Sequence, residues 1–327
     1  MAKKYEPIDL TKLRTYSVSQ REHKFDVQGL AGLPAKDCGF RDWWDSLPPY
    51  LAAGALKRLV ADIIAARRAE RPVIFALGAH VVKVGCSPII CDLIDRGLIT
   101  GVCLNGATAI HDVEVALFGR TSEDVAASLK DGSFGMVEET PAFFAEALSA
   151  VSGGARASSS GSVGLGRALA EHLLRVKPPY LRLSILAAAR KAGIPATVHV
   201  AIGTDTIHMH SAVAESGLAS GSTLDFRLVC SLVADMAPSS KGGPAGVWCN
   251  VGSAVLLPEV FLKAVAVARN LGADLDEITT ANLDMLRHYR PAENVTGRPV
   301  QKGRGLTIIG HHELLLPLLR QALIETV

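Results

Sequence analysis

No stretch of this sequence is apolar enough for long enough to cross a membrane. The most apolar run, 253-SAVLLPEVFLKAVAVA-268, is interrupted by Pro258, Glu259 and Lys263, whereas a spanning helix needs about 20 consecutive apolar residues. Charge of one sign is also lacking: 34 Lys and Arg stand against 32 Asp and Glu in 327 residues, a formal net charge of +2. Without a dense basic stripe the electrostatic drive toward phosphate backbones is missing, and no nucleic-acid partner is expected. The six cysteines (Cys38, Cys86, Cys91, Cys103, Cys230 and Cys249) include no CxxC pair and sit mostly in apolar segments. That pattern predicts buried, reduced thiols rather than a disulfide framework. The opening MAKKYEPIDL lacks the apolar core of a secretory leader. These absences together predict a cytoplasmic globular protein whose partners are small molecules, not membranes.

What is present is a core-forming chain, 49% hydrophobic, long enough for one large α/β core. Residues 1–50 are polar and irregular apart from the aromatic patch 42-DWWDSLPPY-50, and form an N-terminal extension. Residues 51–327 are expected to form a single α/β domain. Helical spacing over 51–70 precedes a buried strand at 73–78. A helix from Ser87 to Gly97 leads to a strand at 98–104, and a further helix starts near Asp112. The Gly/Ser-rich segment 152–167 predicts a mobile loop. Beyond it helices at 180–193, 224–236 and 258–272 alternate with strands at 194–203, 246–252 and 277–282, and the strand 306–310 comes before a last amphipathic helix. Such alternation predicts an open, mostly parallel, Rossmann-like sheet with helices on both faces.

The strand ends carry the chemistry. They read Gly78-Ala79-His80 followed by Lys83, Asn105-Gly106-Ala107 followed by His111 and Asp112, then Gly203-Thr204-Asp205, Gly252-Ser253, Thr280-Ala281-Asn282 and Gly310-His311-His312. In an open parallel sheet the ligand lies beyond the carboxyl ends of the strands, where small residues let it approach backbone N–H groups. Turn formation and helix capping would account for any one of these termini, but not for histidines recurring along one edge. The run 161-GSVGLG-166 follows no strand and so is no dinucleotide fingerprint. His199, His208, His210, His311 and His312 offer imidazoles for acid–base work; no spacing among them matches a zinc motif, and no metal is assigned. Lys83 is open to three roles: a surface lysine, an ammonium holding phosphate or carboxylate, or an imine-forming amine.

In order along the chain, these termini resemble deoxyhypusine synthases, the NAD-dependent family that moves the aminobutyl arm of spermidine onto a protein lysine. The resemblance is collinear over about residues 70–325 and rests on GAHVVKVG, NGATAIHD, KAGIPATVHVAIGTDTIHMHS, CNVGSAV, ITTA, RPAENV and HHELLLPLL. It implies the family's NAD-binding fold and a homotetramer with its pocket near a subunit interface. It also implies a dinucleotide held by His80, Asn105, Gly106, Ala107, His111, Asp112, Gly252, Ser253, Thr280, Ala281 and His311. Asp205, His208 and Glu293 would orient substrate and shuttle protons, with Lys83 the remaining amine for a covalent step. One departure is chemical. Where the family has Trp-Gly-Lys after its Arg-Pro-x-Glu element, this chain has Gly297-Arg298-Pro299, and neither proline nor a guanidinium forms the aminobutyl imine. The expectation is therefore an NAD-dependent transferase or oxidoreductase acting on a small amine- or hydroxyl-bearing metabolite, and not deoxyhypusine synthesis itself. The rivals are a metal-assisted hydrolase or lyase built on the histidines, and a non-catalytic nucleotide-binding protein.

Overall fold

The computed structural model describes residues 5–152, 163–214, 217–240 and 242–326. Six strands form one sheet: β1 (Val73–Leu77), β2 (Gly101–Asn105), β3 (Ala196–His199), β4 (Val247–Val251), β5 (Thr279–Asp284) and β6 (Gly305–Ile309). Their spatial order is β3-β2-β1-β4-β5-β6 and every pairing is parallel. This is the doubly wound order, in which the direction of winding reverses between β1 and β4.

The alternation of side chains explains the two layers. Val73, Phe75 and Leu77 of β1 enter one core, shared with the helices Leu51–Arg68, Ser87–Asp95 and His312–Thr326. Ile74 and Ala76 enter a second, shared with the helices Leu218–Ala234 and Leu256–Asn270. Trp248 of β4 stacks on Phe261 there, with ring centroids 4.3 Å apart. A strand covered on both faces favours apolar residues at every position rather than at alternate ones, which is why β1 reads as an unbroken hydrophobic run and β4 as one broken only by Asn250. No helix among the described residues is long and apolar enough to cross a membrane. The six cysteines are all free, five of them buried.

Several features differ from the sequence expectation. The helix expected near Asp112 begins at Gly106, because the Asn105 side-chain oxygen accepts the Thr108 N–H at 2.8 Å and ends β2 in a cap. The Gly/Ser-rich loop yields a helix, Leu165–Val176, the remainder of that segment (153–162) lying outside the described residues. The buried Asp225 fastens its start, accepting N–H groups of Gly166 at 2.8 Å and Val198 at 2.7 Å. Gly166 is needed there, since a Cβ would lie 2.3 Å from the Ala196 carbonyl oxygen. At the N-terminus, Trp44 is only 9% exposed and packs on Phe40 at 6.0 Å, in a short helix, Phe40–Asp45, set against the last helix. Trp44 of the Trp-bearing patch thus has a partner within its own chain, the alternative to an intersubunit role for this patch.

Candidate active site at the carboxyl edge of the sheet

β1 and β4 stay paired to their carboxyl ends, and the two turns that leave the sheet there touch. A Cβ on Gly78 would stand 2.0 Å from the Gly252 carbonyl oxygen, so only glycine fits. Gly252 itself turns at φ +68°. Ser253 lies just ahead of the next helix, Leu256–Asn270, its Oγ accepting the Leu257 N–H at 3.3 Å. Beneath them the buried Asn250 donates to Asn282 at 2.7 Å and to the Ser253 carbonyl at 2.9 Å. Beyond this edge opens a cleft of about 1080 Å³, walled by Asn105 and Ala107 after β2, His199 at the end of β3, and Gly252 to Leu256 after β4. Burial pushes the His199 imidazole down to about 4, so that ring is neutral.

A second cleft, of about 810 Å³, meets the first at Ala107, Thr204 and Asp205. Asp205 is the hinge of the arrangement. Its side chain is 7% exposed and that of His208 6%, and Oδ2 of the one lies 3.9 Å from Nε2 of the other. Neither atom has a hydrogen-bond partner. His208 Nδ1 accepts the N–H groups of Gly203 at 3.1 Å and Asp205 at 3.3 Å. An imidazole nitrogen that accepts carries no proton, so the neutral His208 ring presents Nε2–H toward the carboxylate. Burial raises the Asp205 pKa and His208 opposes that rise.

One wall of the second cleft is a face of the helix Gly106–Phe118, where Ala107, Ile110, His111, Glu114 and Phe118 recur at helical spacing. His111 Nδ1 lies 2.6 Å from Thr121 Oγ1. The Thr121 hydroxyl donates to Glu114 Oε2, and Thr140 donates to Glu114 Oε1 at 2.9 Å. Lys83 lines the same cleft and is exposed. Sequence reasoning placed His111 among cofactor groups, noted Glu114 beyond the same strand without giving it a role, and passed over Thr121 and Thr140. Only the i, i+3 spacing of His111 and Glu114 hinted at the first partner; the two threonines arrive from other segments.

Several expected site residues lie elsewhere. Asp112 points into the protein: it is 1% exposed and accepts from Ser184 Oγ and from the N–H groups of Ile185 and Leu186. It therefore caps the helix Ile185–Lys191, and burial raises its pKa to about 6. Thr280 and Ala281 are not at a strand end, because β5 runs on to Asp284; both are fully buried, and Thr280 donates to the Val295 carbonyl at 2.7 Å. Glu293 lines neither cleft and pairs with Arg298 at 3.5 Å. His311 faces solvent beside Glu313. It is His312 that turns inward, donating from Nε2 to the Leu283 carbonyl at 3.2 Å, with its ring 5.7 Å from that of His80. Burial, chiefly, lowers the His80 pKa. Of the expected set, then, the edge unites Asn105, Gly106, Ala107, Gly252, Ser253, Asp205 and His208, with Lys83 and His111 in the adjoining cleft.

The larger cleft has room for a dinucleotide, and Ala107, Ala201, Gly252, Ser253 and Ala254 line it with small side chains. Among the described residues no three His, Cys, Asp or Glu side chains converge in a manner that could hold a metal.

No family model matches this sequence, nor does any protein of curated function. The structure does find counterparts. A protein assigned as a deoxyhypusine synthase in Entamoeba histolytica superposes with a TM-score of 0.52 at 10% identity, over 89% of this chain and 94% of its own. The fold is deoxyhypusine synthase-like. Unliganded AgrE gives a TM-score of 0.55 at 12% identity over 83% of this chain, and AgrE solved with ornithine and NAD+ gives 0.50. A LOR/SDH protein from Methanococcus maripaludis S2 gives 0.52 at 14% identity, covering 85% of this chain and 71% of that one. This chain spans only 33% of AgrE's length. At these identities the likeness is one of fold.

Proposed function

We propose that this protein is an NAD-dependent enzyme that oxidises a small amine- or hydroxyl-bearing metabolite to an imine or carbonyl. The dinucleotide occupies the larger cleft, against Asn105, Gly106, Ala107, Gly252 and Ser253, and supplies the hydride acceptor. The substrate's polar group lies at the junction of the two clefts, against Asp205. One observation carries the reading: Asp205 Oδ2 and His208 Nε2 are both buried and both without a hydrogen-bond partner at that junction. An unpaired buried polar atom costs about 1–3 kcal/mol, more when charged; Asp205 lines both clefts, so a small turn of its carboxylate toward a ligand there would relieve that cost. Asp205 would oppose a cation or accept from a hydroxyl, and His208 Nε2–H would hold the carboxylate in place. The solved complex of AgrE with ornithine and NAD+, on the same fold, supports an amine as substrate.

Titration calorimetry of the purified protein with NAD+ and NADH up to millimolar concentration tests the reading. Binding is expected, and Asp205→Asn should keep it while abolishing NADH formation in a panel of primary amines and secondary alcohols. The absence of binding by either dinucleotide would remove the proposal.

A further inference from the structure

The second cleft contains a hydrogen-bonded chain whose direction can be worked out atom by atom. A threonine hydroxyl has one proton. Thr121 donates its proton to Glu114 Oε2, because a carboxylate oxygen only accepts. Thr121 Oγ1 can then only accept from His111, 2.6 Å away, which places the ring proton on Nδ1. In the neutral imidazole Nε2 is consequently bare. Among the described residues Nε2 has no hydrogen-bond partner, nor is it one of the buried unsatisfied atoms, so its lone pair opens into the cleft that His111 lines. The arrangement is the reverse of that at His208, where Nδ1 accepts and Nε2 carries the proton. The two histidines therefore differ in kind: His208 donates, and His111 accepts.

We propose that His111 is the proton acceptor of this site, with Thr121 and Glu114 as positioning residues that fix its tautomer and stabilise the imidazolium it becomes. The proposal rests on the function proposed above and assigns the base for that reaction. For an amine substrate, His111 Nε2 takes one proton from the ammonium. The hydride then leaves the adjacent carbon for the nicotinamide, and the nitrogen lone pair closes the C=N bond. The products would be an iminium, reduced dinucleotide and protonated His111, and Asp205, which lines the same cleft, would oppose the iminium's charge. For an alcohol the same two transfers give a carbonyl. The surroundings suit a base at neutral pH. Burial, foremost, and Lys83 on the neighbouring short helix hold the His111 pKa below its ordinary value, while Glu114 opposes them; Arg120, Glu123, Glu139 and Asp205 complete the charged lining.

Two measurements on the full chain separate this inference from the broader reading. Long-range nitrogen–carbon NMR on histidine-labelled protein at pH 8, with His111→Gln for assignment, should find the Nδ1–H tautomer at His111. Thr121→Val should release the ring toward the Nε2–H form. An Nε2–H ring in the unmodified protein would overturn the proposal, whether or not NAD+ binds. With a substrate found in the amine and alcohol panel, His111→Gln should lower kcat roughly 100-fold or more and abolish the acidic limb of its pH profile, with the dissociation constant for NAD+ unchanged. Glu114→Gln should move that limb to lower pH, since it removes the group that raises the His111 pKa. An acidic limb that survives in His111→Gln would also overturn it. Failure of both dinucleotides to bind would instead remove the broader reading, leaving the NMR result to stand for the ring alone.

Discussion

Gly106 and Asp205 compete for one space: a Cβ built on Gly106 would stand 2.0 Å from Asp205 Oδ2. The first residue of one helix is thus kept bare so that the carboxylate of a distant loop can lie over it. Gly106→Ala should cost about 1–3 kcal/mol, the usual range for overpacking. In an Asp205→Ala background it should cost less than about 0.5 kcal/mol, because the obstructing oxygen is gone. Urea unfolding of the four proteins measures the coupling; equal costs in both backgrounds would show that the two residues do not meet.

Asp112 and the dinucleotide should be independent. Asp112→Ala strands the N–H groups of Ile185 and Leu186 and the Ser184 hydroxyl, at about 1–3 kcal/mol for each buried group left unpaired. Stability should fall accordingly, while the NAD+ affinity of the folded fraction stays the same. A variant of normal stability with weakened NAD+ binding would return Asp112 to the cofactor site.

Asp225 gives a pH dependence of definite sign. Burial raises its pKa to about 7, against the hydrogen bonds from Val198 and Gly166 that lower it; an unfolded carboxyl titrates near 3.9. Between these values the folded state binds the proton more tightly. The contribution of Asp225 is therefore fullest below about pH 4 and is lost as pH rises to about 7. The melting temperature of the unmodified protein, relative to that of Asp225→Asn, should decline across that window. A difference that is flat or that rises with pH would contradict the assignment.

Spermidine should not be a donor here. Pro299, which stands where a transferring lysine is needed, is buried, its carbonyl accepting from Arg269 at 3.1 Å, and it lines neither cleft. Lys83 is exposed at the second cleft, where its ammonium suits anion binding better than imine formation. Borohydride treatment with spermidine and NAD+ is expected to leave no reduced adduct on Lys83 and no labelled lysine on a translation factor. Either product would reverse this conclusion.

The extension ahead of the first packed helix presents apolar side chains to solvent, Tyr5 at 85% and Leu33 at 98% exposure. Exposed apolar side chains suit an interface, and we expect a tetramer built from dimers. Light scattering at micromolar concentration should give a mass well above the 34.5 kDa of one chain, and removal of residues 1–33 should lower it. A monomeric mass for the intact protein would exclude the assembly.

Local pattern was enough to reveal most of the strands, because a strand buried on both faces is largely apolar and its neighbours in sequence bear turn residues; β5, buried but rich in Thr and Asn, was the exception in extent. The same pattern also revealed that Asn105, Gly106, Asp205 and Gly252 share one edge, since every strand of a parallel sheet ends on the same side. Pattern alone did not decide between adjacent residues. His111 and Asp112 are neighbours in sequence, yet a helix turns about 100° per residue, so one enters the cleft and the other caps a buried helix. His311 and His312 part in the same way, one to solvent and one beneath Gly252. Thr280 and Ala281 looked like a turn until pairing with β6 carried β5 on to Asp284. Chain composition and period determined that there would be a sheet with a polar edge; helix phase, strand length and the loops that close over that edge decided which side chains face the ligand, because those depend on contacts between segments far apart in the chain.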